Sequence, residues 1–270
     1  MHTESNHSFV ICAYEESSFL EKCIQSILGQ TVKSKVILIT STPNQYISQI
    51  AKNYKIECVI NHSESGMVQD WNFGFRQAKT KYVTLAHQDD VYSKNYTLEI
   101  IKAMERAKHP LIAFTDYYEI RNDNITKSNT MLQIKRIMLL PLKLKVLHKS
   151  RLVRRIILSF GCPICCPSVT FDKENLPEQV FQVGYRSCED WQAWEKLSKL
   201  KGEFIYCTKT IMYHRIHGES ATTAIIGDNV RTIEDYDMFR KFWPKTIAKV
   251  LAKLYAKSEQ SNDIGKEVKS

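Results

Sequence analysis

Short apolar runs alternate with amphipathic stretches through the first half of the chain. "HSFVICAY" (His7 to Tyr14) is apolar, rich in β-formers and short enough to be a strand. Behind it Leu20, Ile24, Ile27 and Leu28 recur at helical spacing, and Ser18-x-x-Glu21 has the spacing of a capping box. "SKVILIT" (Ser34 to Thr40) predicts a second strand, with Thr42-Pro43 as N-cap and first position of the next helix. "IECVI" (Ile56 to Ile60) predicts a third strand, and Gly66 precedes a helix reaching about Ala78. "KYVTLA" (Lys81 to Ala86) predicts a fourth, followed by a helix from about Ser93 to Lys108 and a strand at "LIAFTDYY".

Strand and helix alternating over short connections imply an α/β fold, a Rossmann-like open and mostly parallel sheet with helices on both faces. Ligands of such sheets bind beyond the carboxyl ends of the strands. That edge should therefore carry Ala13 to Glu15 after the first strand and Thr40 to Thr42 after the second. After the fourth strand it should carry Asp89 and Asp90, adjacent carboxylates that repel unless something cationic lies between them.

The alternation stops near Ile125. The stretch to Phe160 predicts one or two helices broken at Pro141. "GCPICCPSVTF" (Gly161 to Phe171) reads as a proline-fixed turn entering a strand, and a tryptophan-bearing helix runs from near Glu189 to about Lys199. "EFIYCTKTIMYHRIH" (Glu203 to His217) predicts a strand, a short connection and a second strand ending at a histidine. The boundaries expected are one domain over 1–235, with a basic helical insertion at about 126–160. A basic amphipathic helix and flexible tail would follow over 236–270.

At 270 residues, 43% hydrophobic and 25% charged, the composition is that of an ordinary globular protein. Neither a membrane span nor a signal peptide is recognisable, which predicts a cytoplasmic protein. Eight scattered cysteines, with one unpaired Cys-x-x-Cys at Cys162 and Cys165, predict reduced thiols rather than a zinc site or disulfide framework. Met131 to Phe160 holds eight Lys or Arg, and Arg240 to Lys257 six more, with no acid in either segment. These fourteen cations exceed the formal net charge of +9, so the rest of the chain is net acidic. Ile247, Val250, Leu251 and Leu254 form an apolar stripe beside Lys245, Lys249, Lys253 and Lys257. Two basic, apolar segments suit an anionic membrane surface, and a helix docked on the domain with a solvated face is the competing arrangement. No motif or interleaved aromatics point to nucleic acid.

Four segments in order carry a family resemblance: "FVICAYEESSFLEKCIQSILGQT", "KYVTLAHQDDVYS", "SCEDWQAW" and "YHRIHGESAT". Together the chain resembles the family 2 glycosyltransferases, nucleotide-sugar-dependent inverting enzymes with the GT-A fold, over roughly residues 8 to 222. The resemblance implies a Mn²⁺ or Mg²⁺ site with Asp89 as ligand and His217 as second contact, His214 competing for that place. It implies donor binding by Ala13, Tyr14, Glu15, Thr40, Ser41, Asp70, Asn72, His87, Gln88 and Asp90. Asp190 would be the catalytic base, removing a proton from the attacking hydroxyl, with Glu189 beside it. Ser187 and Asp190 also stand at capping-box spacing. Ser168 and the backbone of Cys165 and Cys166 would line the acceptor pocket, a purely structural turn being the alternative. Trp191 would join them as a stacking platform unless it and Trp194, three apart, are core, the arrangement their spacing favours.

Two positions depart from the family pattern. "TSTP" (Thr40 to Pro43) stands where an acidic base-binding motif is usual, and His87 takes the first acidic place of the metal motif. The activity implied is transfer of a UDP-linked hexose or N-acetylhexosamine to a saccharide or lipid-linked acceptor in bacterial surface polysaccharide synthesis. It would be carried out peripherally on the inner face of the cell membrane, with homodimerisation left open. The rivals are a catalytically lapsed scaffold and a sugar nucleotidyltransferase. The latter wants a glycine-rich phosphate loop that "ICAYEESS" does not supply.

Overall fold

A computed structural model describes residues 6–63, 65–218 and 230–260. Its first half follows the alternation: β1 (His7–Cys12), α1 (Leu20–Leu28), β2 (Lys35–Thr40), α2 (Gln45–Tyr54), β3 (Glu57–Ile60), α3 (Met67–Gln77) and β4 (Tyr82–His87). Then come β5 (Val91–Tyr92), α4 (Tyr96–Glu105), β6 (Pro110–Arg121), β7 (Asn124–Thr126), α5 (Thr130–Leu139) and α6 (Arg151–Leu158). The chain continues through β8 (Val169–Asp172), α7 (Glu189–Ser198), β9 (Glu203–Ile216), α8 (Val230–Arg240) and α9 (Lys245–Gln260).

One sheet runs in the order β3-β2-β1-β4-β8-β6-β9-β5, with β7 added to β6. The strands from β3 to β4 pair in parallel, β8 is antiparallel to both β4 and β6, and β6 and β9 are parallel again. Alternate strand residues face opposite sides. Val10, Ile39 and Leu85 pack with Trp71 and Phe75 of α3, Trp194 of α7 and Phe239 of α8. Phe9, Ile11 and Leu38 pack with Ile24 of α1, Ile47 of α2 and Ile100 of α4. The central strands are thus covered on both faces, which is why they read as unbroken apolar runs. A Cβ on Gly74 would sit 2.5 Å from Val10 Cγ1, so that glycine lets α3 lie directly on β1.

Several local expectations are corrected. No side chain caps α1, so the Ser18–Glu21 box is not formed. The N-cap of α2 is Asn44, whose side chain accepts from Ile47 N, while Thr42 turns away and its Oγ1 accepts from Glu15 N at 2.7 Å. The two strands expected within Glu203–His217 are one, β9, with a register shift against β6 between Thr115 and Asp116. The two-residue strand β5, too short for any periodicity, was not foreseen; it pairs with Tyr213 and Met212 of β9.

The basic segments dock on the domain by one face and leave another open. Leu132 and Leu139 of α5, Ile157 and Leu158 of α6, and Ala248 and Ala252 of α9 enter the core, whereas Ile137 (64% exposed), Leu144, Val146, Leu152 (70% exposed) and Ile156 face outward. The predicted stripe of α9 is split: Leu251 packs inward beside the two alanines, and Ile247, Val250 and Leu254 point out. Small alanines permit close approach to α8, so Ala248 and Ala252 share the inner face with Leu251. A boundary at 235/236 falls inside α8, whose Met238 and Phe239 are core residues. The expected tail, 261–270, lies outside the described residues. No described helix is long and apolar enough to cross a membrane.

Candidate active site

The carboxyl end of β4 delivers His87, and the turn after it delivers Asp89 and Asp90. Pairing of β5 with β9 lays the end of β9 along this turn. His214 Nδ1 lies 2.9 Å from Asp90 Oδ1, which also accepts from Arg215 N at 2.9 Å. His217 Nε2 donates to Asp89 Oδ2 at 3.1 Å, and Arg215 Nε donates to the Asp89 carbonyl at 3.1 Å. Glu219 to Thr222, the rest of the histidine-bearing segment, lie outside the described residues.

One donor atom each from His87, Asp89 and Asp90 falls within 4.8 Å of the others. His87 Nε2 and Asp90 Oδ2 are buried with no hydrogen-bond partner. Buried polar atoms are costly when unsatisfied, so two such atoms beside the Asp89 carboxylate fit a bound cation. Nitrogen and oxygen donors together suit Mn²⁺, and the carboxylates alone suit Mg²⁺. The charges are arranged accordingly. Burial holds the His87 imidazole below its usual range, leaving a neutral ligand. Burial opposes ionisation of Asp89, yet the hydrogen bond from His217 and the nearby His87 and His214 carry its carboxyl below the usual range. Burial also disfavours charge on His214, but Asp90 prevails and its pKa is pushed up to about 9. The expected pair, Asp89 and His217, are therefore adjacent, and His87 and Asp90 join the donor set rather than only the sugar-nucleotide contacts. The His87 ring stacks on Trp71, centroids 5.2 Å apart.

The nucleotide side lies beyond β1 and β2. The Gln88 amide bridges the backbone N and O of Tyr14, each at 3.0 Å, which ties the loop after β1 to the metal turn. Tyr14 and Glu15 stand exposed at the rim, and Glu15 adopts φ 51° there. Asp70 is fully engaged, by Ser41 Oγ on Oδ2 and by Asn61 Nδ2 on Oδ1, both at 2.7 Å. Three expected donor contacts are corrected. Ala13 and Thr40 are buried beneath the rim, and the Asn72 amide is spent on the backbone N and O of Phe181.

Asp190 opens α7. Its Oδ1 accepts from Trp191 N at 2.6 Å and its Oδ2 from the Cys162 thiol at 3.5 Å. Burial pushes its carboxyl above the usual range, against the Trp191 N–H and the Lys135 ammonium, which pull it down. A carboxylate with raised pKa is a better proton acceptor near neutrality. Burial pushes Glu189 up to about 8. Ser187 does not cap this helix: its Oγ and N, and Arg186 N, all donate to Glu234 of α8 at 2.7 to 2.8 Å. The loop that leads into Asp190 is thus pinned by a buried carboxylate from another helix.

The acceptor residues are corrected in part. Trp191 is 1% exposed, donates Nε1–H to Leu158 O and packs on Phe239 and Tyr255, so it is core and no stacking platform. Ser168 is fully buried, its Oγ donating to Cys165 O at 2.7 Å. Cys166 is buried, while Cys165 is half-buried. Cys162, one turn earlier, is the thiol that meets the base. Tyr255 of α9 supports that turn: its Oη accepts from Cys162 N at 3.5 Å, and its ring lies 2.7 Å from where a Cβ on Gly161 would be. Arg215, Trp71, Cys162 and Lys135 escaped the sequence reading. Only Lys135 left a signal, since it falls three after Leu132 and four before Leu139, on the buried stripe of α5.

The model of the family "Glycosyl transferase family 2" matches residues 8–170. This chain belongs to that family. Its relatives, too, are named glycosyltransferases. It is 23% identical to an uncharacterised glycosyltransferase of Rickettsia prowazekii, covering 85% of this chain and 69% of that one. To an uncharacterised glycosyltransferase of Haemophilus influenzae it is 22% identical, over 80% and 67%. Among solved structures, TarS 1–349 of S. aureus in complex with UDP-GlcNAc superposes with TM-score 0.62 at 13% identity, covering 94% of this chain and 72% of that one. Mannosyltransferase PcManGT of Pyrobaculum calidifontis, in complex with GDP-Man and Mn²⁺, gives TM-score 0.62 at 12% identity, over 94% and 70%. At such identities the structures establish the GT-A fold alone. The family match ends at residue 170, before Asp190 and the β9 histidines, so those residues stand on the geometry above.

Proposed function

We propose that this glycosyltransferase is metal-dependent and inverting, taking its sugar from a UDP-linked hexose or N-acetylhexosamine. Its acceptor would be a saccharide or lipid-linked glycan of bacterial surface polysaccharide synthesis. The observation that carries the reading is the His87, Asp89 and Asp90 cluster, with two buried atoms lacking partners, at the carboxyl end of β4. Mn²⁺ or Mg²⁺ held by His87, Asp89 and Asp90, with His217 behind Asp89, supplies the positive charge that a departing diphosphate requires. Ser41, Tyr14 and Glu15 border the nucleoside, and Gln88 keeps their loop against the metal turn. In the transfer, an acceptor hydroxyl oxygen bonds to the anomeric carbon while the bond from that carbon to the diphosphate oxygen breaks. Asp190 takes the hydroxyl proton, and the electron pair leaves with the nucleoside diphosphate.

A membrane-side acceptor is supported by the outward apolar residues of α5, α6 and α9, set among Lys143, Lys145, Lys149, Arg151, Lys249 and Lys253. Such a surface suits an anionic bilayer, and Tyr255 of α9 in turn contacts Cys162, the thiol that meets Asp190.

Melting curves with UDP, GDP, CDP and dTDP, each with and without Mn²⁺, test the central reading, since a ligand of the native state raises the melting temperature. UDP with Mn²⁺ should raise it, and Asp89→Ala should abolish the metal-dependent part. Equal shifts with and without Mn²⁺, or an unaffected Asp89→Ala, would refute the metal site.

A further inference from the structure

Lys135 is a half-buried cation of α5 held by a tyrosine and not by an ion pair. On α5 it lies on the inward stripe between Leu132 and Leu139, a place where cations are rarely found without a partner. Its neighbour Arg136 has one: Nε reaches Asp116 Oδ2 at 2.8 Å. Lys135 has none, for among the described residues no carboxylate lies within ion-pair distance of its ammonium. Its Nζ donates to Tyr117 Oη at 2.9 Å, and the group sits 5.4 Å from the centre of the same ring. An ammonium has three N–H donors, so this contact leaves two unused.

The position is as telling as the missing partner. Tyr117 meets His214 edge to face at 6.2 Å, and His214 holds Asp90. On the other side the ammonium is within electrostatic reach of Asp190 and of Cys162 and Cys165. Lys135 is therefore joined through Tyr117 to His214, and its charge acts on Asp190. The same helix presents Ile134 and Ile137 to the exterior. A cation facing inward and apolar side chains facing outward, on one helix, match a ligand with an anionic head and a hydrocarbon tail.

We propose that Lys135 recognises a phosphate group of a lipid-linked acceptor and so determines which acceptors the enzyme takes. This rests on the transferase reading above, with Asp190 as base. The remaining two N–H groups of Lys135 donate to phosphate oxygens, Tyr117 holds the ammonium in place, and Ile134 and Ile137 border the path of the lipid chain.

The test measures binding in the presence of saturating UDP and Mn²⁺, using geranyl phosphate below its micellar concentration, geraniol and inorganic phosphate. Geranyl phosphate should bind more tightly than either other probe. Lys135→Met, close to lysine in length, should weaken it by about tenfold or more, the loss expected of a charge-assisted contact. Lys135→Arg should keep most of the affinity, and both variants should bind UDP with Mn²⁺ as the wild type does. Unchanged geranyl phosphate affinity in Lys135→Met would overturn the proposal. So would weakened UDP binding, which would assign the ammonium to the donor, or inorganic phosphate binding as tightly as the lipid phosphate. A melting temperature of Lys135→Met near that of the wild type, without ligand, separates lost contact from lost fold. Failure of the wild type to bind UDP with Mn²⁺ would instead strike the donor reading, and is read before the acceptor probes are added.

Discussion

Around β1 to β4 polar groups close on one another. Asp70 is held by Ser41 and Asn61, Gln88 clasps the Tyr14 backbone, and Asn72 spends its amide on Phe181. Around α5, α6 and α9 apolar groups are left open instead: Ile137, Leu144, Val146 and Leu152 face outward. The contrast fits the function proposed above. A nucleotide would be recognised by hydrogen bonds of fixed geometry, which reward a rim settled beforehand. A lipid-linked acceptor would bring its own apolar surface to the side that the protein leaves uncovered.

The comparison breaks most visibly at Asp190, where the two halves meet. Asp190→Asn should lower kcat by about 10²- to 10⁴-fold, the usual worth of a general base, while UDP with Mn²⁺ still raises the melting temperature. Steady-state kinetics beside melting curves would check both, and retained turnover would dissociate this carboxylate from catalysis. A weaker disturbance should touch only the open half. Replacing Ile137 and Leu152 together by Glu should reduce co-sedimentation with vesicles containing anionic lipid, leaving nucleotide binding intact; equal sedimentation would mean these side chains do not face lipid. The smallest effect concerns Glu189. Its folded pKa of about 8 lies above its ordinary value of 4.5, so the native state holds a proton that the unfolded chain has released. Stability from this group is full below pH 4.5 and declines as pH rises toward 8. Glu189→Gln should therefore raise the melting temperature at pH 8 more than at pH 5, and a pH-independent difference would contradict the burial argument.

The halves were also unequally legible in the sequence. Strands β1 to β4, covered on both faces, announced themselves as apolar runs, and their topology then put Asp89 and Asp90 at the ligand edge. Asp190 and His217 came from the family resemblance, not from any periodicity. The neighbours that give them their properties were hidden. Arg215 meets Asp89 only because β5 pairs with β9, a contact across 126 residues. Cys162 approaches Asp190 only because the turn after α6 folds back on α7. For Trp191 the spacing to Trp194 suited a core and its place beside Asp190 suggested an acceptor contact. The packing of α8 and α9 over it, which makes it core, was not legible from local spacing.

The contact between Tyr255 and the turn at Gly161 and Cys162 joins residues 93 positions apart. Synthesis runs from the amino end, so the residues of β1 to β4 exist before Tyr255 does. A chain clipped ahead of Tyr255 would keep every residue of those strands and lose the ring that seats the turn beside Asp190.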